Sequence, residues 1–90
     1  MTKIKRTVKF DKELKKIPDS IRKKFIFWVF LVESQGIREV RKHKGYHDES
    51  LRGDRKGQRS IRLNKAYRAI YIETKTTIEI LMLEVNKHDY

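Results

Sequence analysis

Apolar residues fall in separated runs along this chain, and each run has its own period. Ile4, Val8 and Phe10, with the β-branched Thr7 among them, read as an extended segment over residues 4–10. Val8 and Phe10 share a face at period two. Asp11 then suits the cap of a short helical turn through Lys16. Pro18 and Asp19 open a longer helix, because proline fits the first turn and an acid favours its positive end. Ile21, Phe25, Trp28 and Val32 make one helical stripe, and Gly36 predicts a stop near Ser34. Ile26, Phe27, Phe30 and Leu31 are apolar as well, so the helix is greasy nearly all round. Such a helix is either enclosed by its own core or covered by a partner, and 90 residues supply little core to enclose it.

The second half alternates differently. Gly36 to Lys44 predicts a short second helix around Val40. Gly45 to Gly57 reads as loop, with Gly45, Gly53 and Gly57 spaced through it. Three hairpin-connected strands follow, over Gln58–Leu63, Tyr67–Glu73 and Thr77–Asn86, with turns at Asn64–Ala66 and Thr74–Thr76. In the last strand Ile78, Ile80, Leu81, Met82, Leu83 and Val85 fill both faces, which predicts a central position. The expectation is a single α+β domain over residues 1–90, with an N-terminal strand and helices packed on a sheet. No repeat, linker or low-complexity segment interrupts it.

Charge changes the picture. Lys and Arg total 23 against 12 acids, for a net +11. A surplus of this size attracts polyanions. Between Gly36 and Arg68 lie eleven basic and four acidic residues, so this third of the chain carries +7 of the total. RNA laid along it would bind in a salt-dependent way. A solvated surface loop is the plainer alternative, but the arginines continue into the predicted strands. In Gln58–Leu63, alternation sets Arg59, Ile61 and Leu63 on one face and Ser60 and Arg62 on the other. The same rule in the next strand sets Arg68 beside Ile70 and Ile72, which suits an active-site role only if Arg68 lies at the strand mouth.

Cysteine is absent, which excludes disulfides and Cys-based zinc sites. The start Met-Thr-Lys-Ile-Lys has no apolar stretch like that of a signal peptide behind it. The longest apolar run, Phe25 to Val32, is far short of the ~20 residues that cross a bilayer. A soluble, cytoplasmic protein with no membrane partner is expected.

With these residues in view, the chain resembles the RelE/ParE superfamily of toxins from type II toxin–antitoxin systems. The likeness rests on Gly45-Tyr46-His47-Asp48-Glu49-Ser50-Leu51-Arg52-Gly53, on Gly57-Gln58-Arg59-Ser60-Ile61-Arg62-Leu63, on Tyr67-Arg68-Ala69-Ile70-Tyr71 and on the end, Glu84-Val85-Asn86-Lys87-His88-Asp89-Tyr90. Each motif alone is weak; together, in this order along nearly the whole chain, they are moderately specific. The resemblance implies helices packed on a strongly twisted antiparallel sheet. It implies a ribosome-dependent endoribonuclease, an mRNA interferase that blocks translation without metal or cofactor, and a cognate antitoxin as partner beside the ribosome and mRNA. The ParE branch instead inhibits DNA gyrase, and a ParE-like inhibitor or a non-catalytic nucleic-acid binder is the alternative.

Site residues carry over one by one. Glu49, two residues before a Leu, matches the general base of YoeB-like members. Arg68 matches the arginine that stabilises the phosphate. His88 and Tyr90 match the family's terminal acid and stacking ring, although Asp89 separates them here. Metal-free cleavage needs a base for the 2′-OH proton, a cation at the phosphorane and an acid for the departing 5′-oxygen. Glu49 or His47 suits the first role, Arg62 and Arg68 the second and His88 the third, since histidine titrates near pH ~6.5. Tyr90 is suited to stacking on a splayed base. His47, Arg52, Arg55, Lys56, Arg59, Lys65 and Lys87 are the expected RNA contacts. The plain alternatives are a loop histidine at 47, a Glu49–Arg52 pair and a frayed chain end.

Overall fold

The computed structural model describes residues 3–74 and 79–87. Strand β1 (Lys3–Arg6) leads into helix α1 (Val8–Leu14), the long helix α2 (Asp19–Gln35) and the one-turn helix α3 (Ile37–Val40). A 3-10 turn at Lys44–Tyr46 precedes the two-residue strand β2 (Glu49–Ser50), and a second lies at Gly53–Arg55. Strands β3 (Arg59–Arg62), β4 (Tyr67–Thr74) and β5 (Glu79–Lys87) complete the fold. The described strands form one five-stranded sheet in the order β1-β5-β4-β3-β2. The α+β class and the interior place of β5 agree with the sequence. The sheet is not wholly antiparallel, because β1 runs parallel to β5.

The first element is shorter than the period-two reading of residues 4–10. Extended structure stops at Arg6, because the Thr7 hydroxyl caps a helix by accepting from the Phe10 N–H at 3.0 Å. The cap is therefore Thr7 rather than Asp11. Phe10 and Leu14, four residues apart, are buried on one helical face, and Val8 is exposed. Thr7 also donates its hydroxyl to the Leu83 carbonyl at 2.9 Å, and its N–H to the Met82 carbonyl at 3.0 Å. One side chain thus ends β1, starts α1 and ties both to β5.

Helix α2 begins after Pro18 and ends where Gly36 takes φ 90°, a conformation open to glycine. Ile21, Phe25, Trp28, Leu31 and Val32 are buried by it. Phe25 packs against Phe10 with ring centroids 5.0 Å apart, and Trp28 against Tyr71 at 5.5 Å. Across this layer the sheet presents Ile61, Leu63, Ala69, Tyr71, Ile80, Met82 and Val85. The other side of α2 is not enclosed. Ile26 and Phe27 are each 56% exposed and Phe30 61%, and the two phenylalanine rings stack at 6.2 Å.

A bulge decides which way the sheet residues point. The β4–β5 register shifts between Ile70 and Tyr71, which pair with Glu84 and Met82, and Leu83 is left over. Met82 and Val85 can then both face the core, three residues apart, and Glu84 leaves it. On β4 the core-facing residues are Ala69 and Tyr71. Arg68 and Ile70 lie on the opposite face, so Ile70 does not mark the core side as simple alternation suggested.

Candidate active site

The sheet face turned away from the helices collects the chemistry. Register pairs Glu49 with Ser60, Ser60 with Ile70, Arg62 with Arg68 and Arg68 with Asn86. Directly opposed residues share a face, so Glu49, Ser60, Arg62 and Arg68 form one patch. Arg68 donates from one terminal nitrogen to the Glu49 carboxylate at 3.1 Å and to the Ser60 hydroxyl at 3.4 Å. The His47 Nε2 lies 3.5 Å from the second Glu49 oxygen. Glu49 therefore pairs across strands with Arg68, not along the chain with Arg52.

Arg62 and Arg68 stand directly opposite each other, and like charges in that relation cost stability. Glu49 neutralises one of them; among the described residues Arg62 has no ion-pair partner. The patch retains a positive charge and several unspent guanidinium donors beside a carboxylate. An anion with two acceptor oxygens, such as a phosphodiester, would relieve the repulsion and fit the forks. Chemically, the group offers a proton acceptor and two cations within one reach. Strand β5 ends at Lys87, opposite Tyr67 and one residue along from Arg68. His88 and Tyr90 lie outside the described residues.

The other expected RNA contacts divide in two. Arg52, Lys56, Lys65 and Lys87 are exposed. Arg55, which is exposed, and Arg59, which is partly buried, are each paired with an acidic side chain of the fold. Arg59 donates from Nε to Asp48 at 2.6 Å and from a terminal nitrogen to the Ser50 hydroxyl at 2.7 Å. Arg55 pairs with Glu84 and donates to the Gln58 side chain at 3.1 Å. Lys9 meets the same Glu84 at 2.8 Å. Burial works to raise the Glu84 pKa, but hydrogen bonds from Lys9 and Arg55 outweigh it and hold the carboxyl below its usual range.

One cluster is absent from the sequence reading. The Asp48 carboxylate is 2% exposed and accepts from Arg59 and from the Tyr71 hydroxyl, with the Arg41 Nε 3.9 Å away. Arg41 also donates to Glu73 at 2.7 Å. Burial, followed by the hydrogen bond and charge of Asp48, pushes the Tyr71 phenol above its usual range. A signal existed: neighbours in an extended chain face opposite ways, so an Asp48 beside an outward Glu49 must turn inward. A carboxylate buried there needs cations.

Among the described residues no helix is long and apolar enough to cross a membrane, and no group of three His, Asp or Glu could hold a metal ion. A family model described as the RelE-like toxin of the type II toxin–antitoxin system HigB matches residues 2–88. A search of curated proteins finds no match. Among solved structures, a YoeB/ParE toxin from Agrobacterium tumefaciens is similar, with TM-score 0.75 and 14% identity over 97% of this chain and 99% of that one. YafQ from E. coli superposes with TM-score 0.75 and 17% identity over 98% and 94%. The RelE of an archaeal RelE–RelB complex from Pyrococcus horikoshii does so with TM-score 0.74 and 21% identity over 96% and 93%.

Proposed function

The chain belongs to the HigB-like family of RelE-like toxins from type II toxin–antitoxin systems, and from that premise we propose that it is a ribosome-dependent endoribonuclease that cuts mRNA by 2′-OH attack. Glu49 takes the 2′-OH proton. Arg68, with Arg62 beside it, binds the phosphate and stabilises the charge that builds at phosphorus. His88 protonates the departing 5′-oxygen, and Tyr90 stacks on the adjacent base. The products are a 2′,3′-cyclic phosphate and a 5′-hydroxyl. The observation that carries this reading is the Glu49–Arg68 contact at 3.1 Å on the sheet face turned away from the helices, with a second arginine in register beside it.

The partner in the cell is an acidic antitoxin. Net +11 favours an acidic chain, and the exposed Ile26, Phe27 and Phe30 offer it an apolar anchor flanked by Lys23 and Lys24. The similar Pyrococcus toxin is itself described in complex with RelB.

The reading is tested on programmed bacterial ribosomes, wild type beside His88→Ala. Ribosome-dependent cuts that end in a cyclic phosphate, and that fall about 100-fold or more in the variant, are the expected outcome. Intact mRNA together with accumulating gyrase–DNA breaks would move the protein to the gyrase-inhibiting branch.

A further inference from the structure

Strand β2, which carries Glu49, is two residues long and sits at the sheet edge. Two register pairs are little to hold a catalytic side chain still. On one side stands His47, with φ 45° and ψ 52° in the left-handed region. Between them lies Asp48, whose carboxylate accepts from Arg59 and Tyr71 and has the Arg41 Nε 3.9 Å away, so that three elements meet it. Arg41 comes from the end of α3, Arg59 from β3 and Tyr71 from β4. Tyr71 is fully buried against Trp28, so its hydroxyl is fixed by the core itself. Arg41 reaches on to Glu73, and Arg59 to Ser50. Two carboxylates and two guanidiniums cancel, which is what a buried charge requires.

We propose that Asp48, clamped by Tyr71, Arg59 and Arg41, is a positioning residue that aims Glu49 at Arg68. The claim rests on Glu49 being the base. Its logic is geometric: once Asp48 is pinned toward the core, the extended chain must present Glu49 on the opposite face. There Arg68 waits at 3.1 Å, and Ser60 is the register partner of Glu49. A second consequence concerns charge. Arg41 and Arg59 serve Asp48 and Glu73, so they belong to the scaffold of the site rather than to its RNA-binding surface.

Tyr71→Phe is the sharpest probe, because it keeps the buried ring and removes one donor. Asp48→Asn keeps an acceptor but unbalances two arginines and risks the fold. In single-turnover cleavage on programmed ribosomes, Tyr71→Phe is expected to lower the maximal rate about 10- to 100-fold, with half-saturation unchanged. In a Glu49→Gln background the same change should add nothing, since the clamp acts through Glu49. An equal loss in both backgrounds, or a loss confined to half-saturation, would overturn the proposal.

Amide hydrogen exchange decides the matter without activity. The Leu51 N–H donates to the Gln58 carbonyl at 2.9 Å beside β2, and the Leu63 N–H donates to the Tyr67 carbonyl at 2.9 Å away from the clamp. Tyr71→Phe should speed exchange at Leu51 about tenfold or more and leave Leu63 as it was. Unchanged exchange at Leu51 overturns the clamp. Faster exchange at Leu51 in a protein that does not cut RNA would keep the clamp and reject the ribonuclease reading.

Discussion

At the scale of single residues, the surplus of positive charge conceals two carboxylates with buried side chains, Asp48 and Glu84. Glu84 is 8% exposed at its side chain and lies between Lys9 and Arg55. Its folded pKa is below the ordinary carboxylate value of 4.5, so its contribution to stability is present above that value. The contribution is lost as pH falls through the folded pKa. Urea unfolding between about pH 3 and 6 should show this as a slope that Glu84→Gln flattens. Equal slopes in the two proteins would mean that the cluster is electrostatically idle. Arg62 was legible as an outward-facing candidate from alternation, and Glu49 and Arg68 as site candidates from the family resemblance. The partners of Asp48 and Glu84 were not, because pairs such as Arg41–Glu73 and Lys9–Glu84 join residues far apart in sequence.

At the scale of elements, the long helix, the short α3 and the three C-terminal strands could be read from periodicity. The first strand could not be bounded that way. Val8 and Phe10 fit period two, while Phe10 and Leu14 fit a helix equally well, and a single cap decided between them. Thr7→Ala removes that cap and the tie to Leu83. It should cost about 1–2 kcal/mol in chemical denaturation. A variant as stable as wild type would show that the cap does not decide the boundary. The bulge in β5 was equally hidden, since which of Glu84 and Val85 faces the core follows from one unpaired residue. For α2 the sequence left open whether core or partner covers its second face, and the domain's own core does not. Phe30→Glu should therefore change stability by no more than about 0.5 kcal/mol. It should also weaken antitoxin binding, measured by calorimetry, at least about tenfold, as expected for an aromatic anchor. Undiminished affinity would remove the outer face of α2 from the antitoxin interface.

For the whole molecule, the issue is where the charge is free to act. Net +11 gives a general attraction for RNA, but the fold spends Arg41, Arg55 and Arg59 on its own carboxylates. In the proposed function, Arg52, Lys56, Arg62, Lys65, Arg68 and Lys87 are the cations that meet phosphates. In single-stranded RNA binding across a salt series, Lys65→Ala should reduce the slope of log K against log salt by about 0.7. Arg59→Ala should leave that slope alone and instead destabilise the fold by about 3 kcal/mol, since it takes the hydrogen-bonded cation from the buried Asp48 carboxylate and leaves it the Tyr71 hydroxyl and the more distant Arg41. If Arg59→Ala lowers the slope with no loss of stability, the division between scaffold and surface charge is wrong. The central claim is narrower still: cleavage is done where Glu49 meets Arg68. Its most direct test is the cleavage rate of ribosome-bound mRNA by Arg68→Ala, with ribosome binding followed in parallel. A rate about 100- to 1,000-fold lower with binding largely retained is the result expected of a cation that stabilises the transition state, whereas cleavage at the wild-type rate would contradict it.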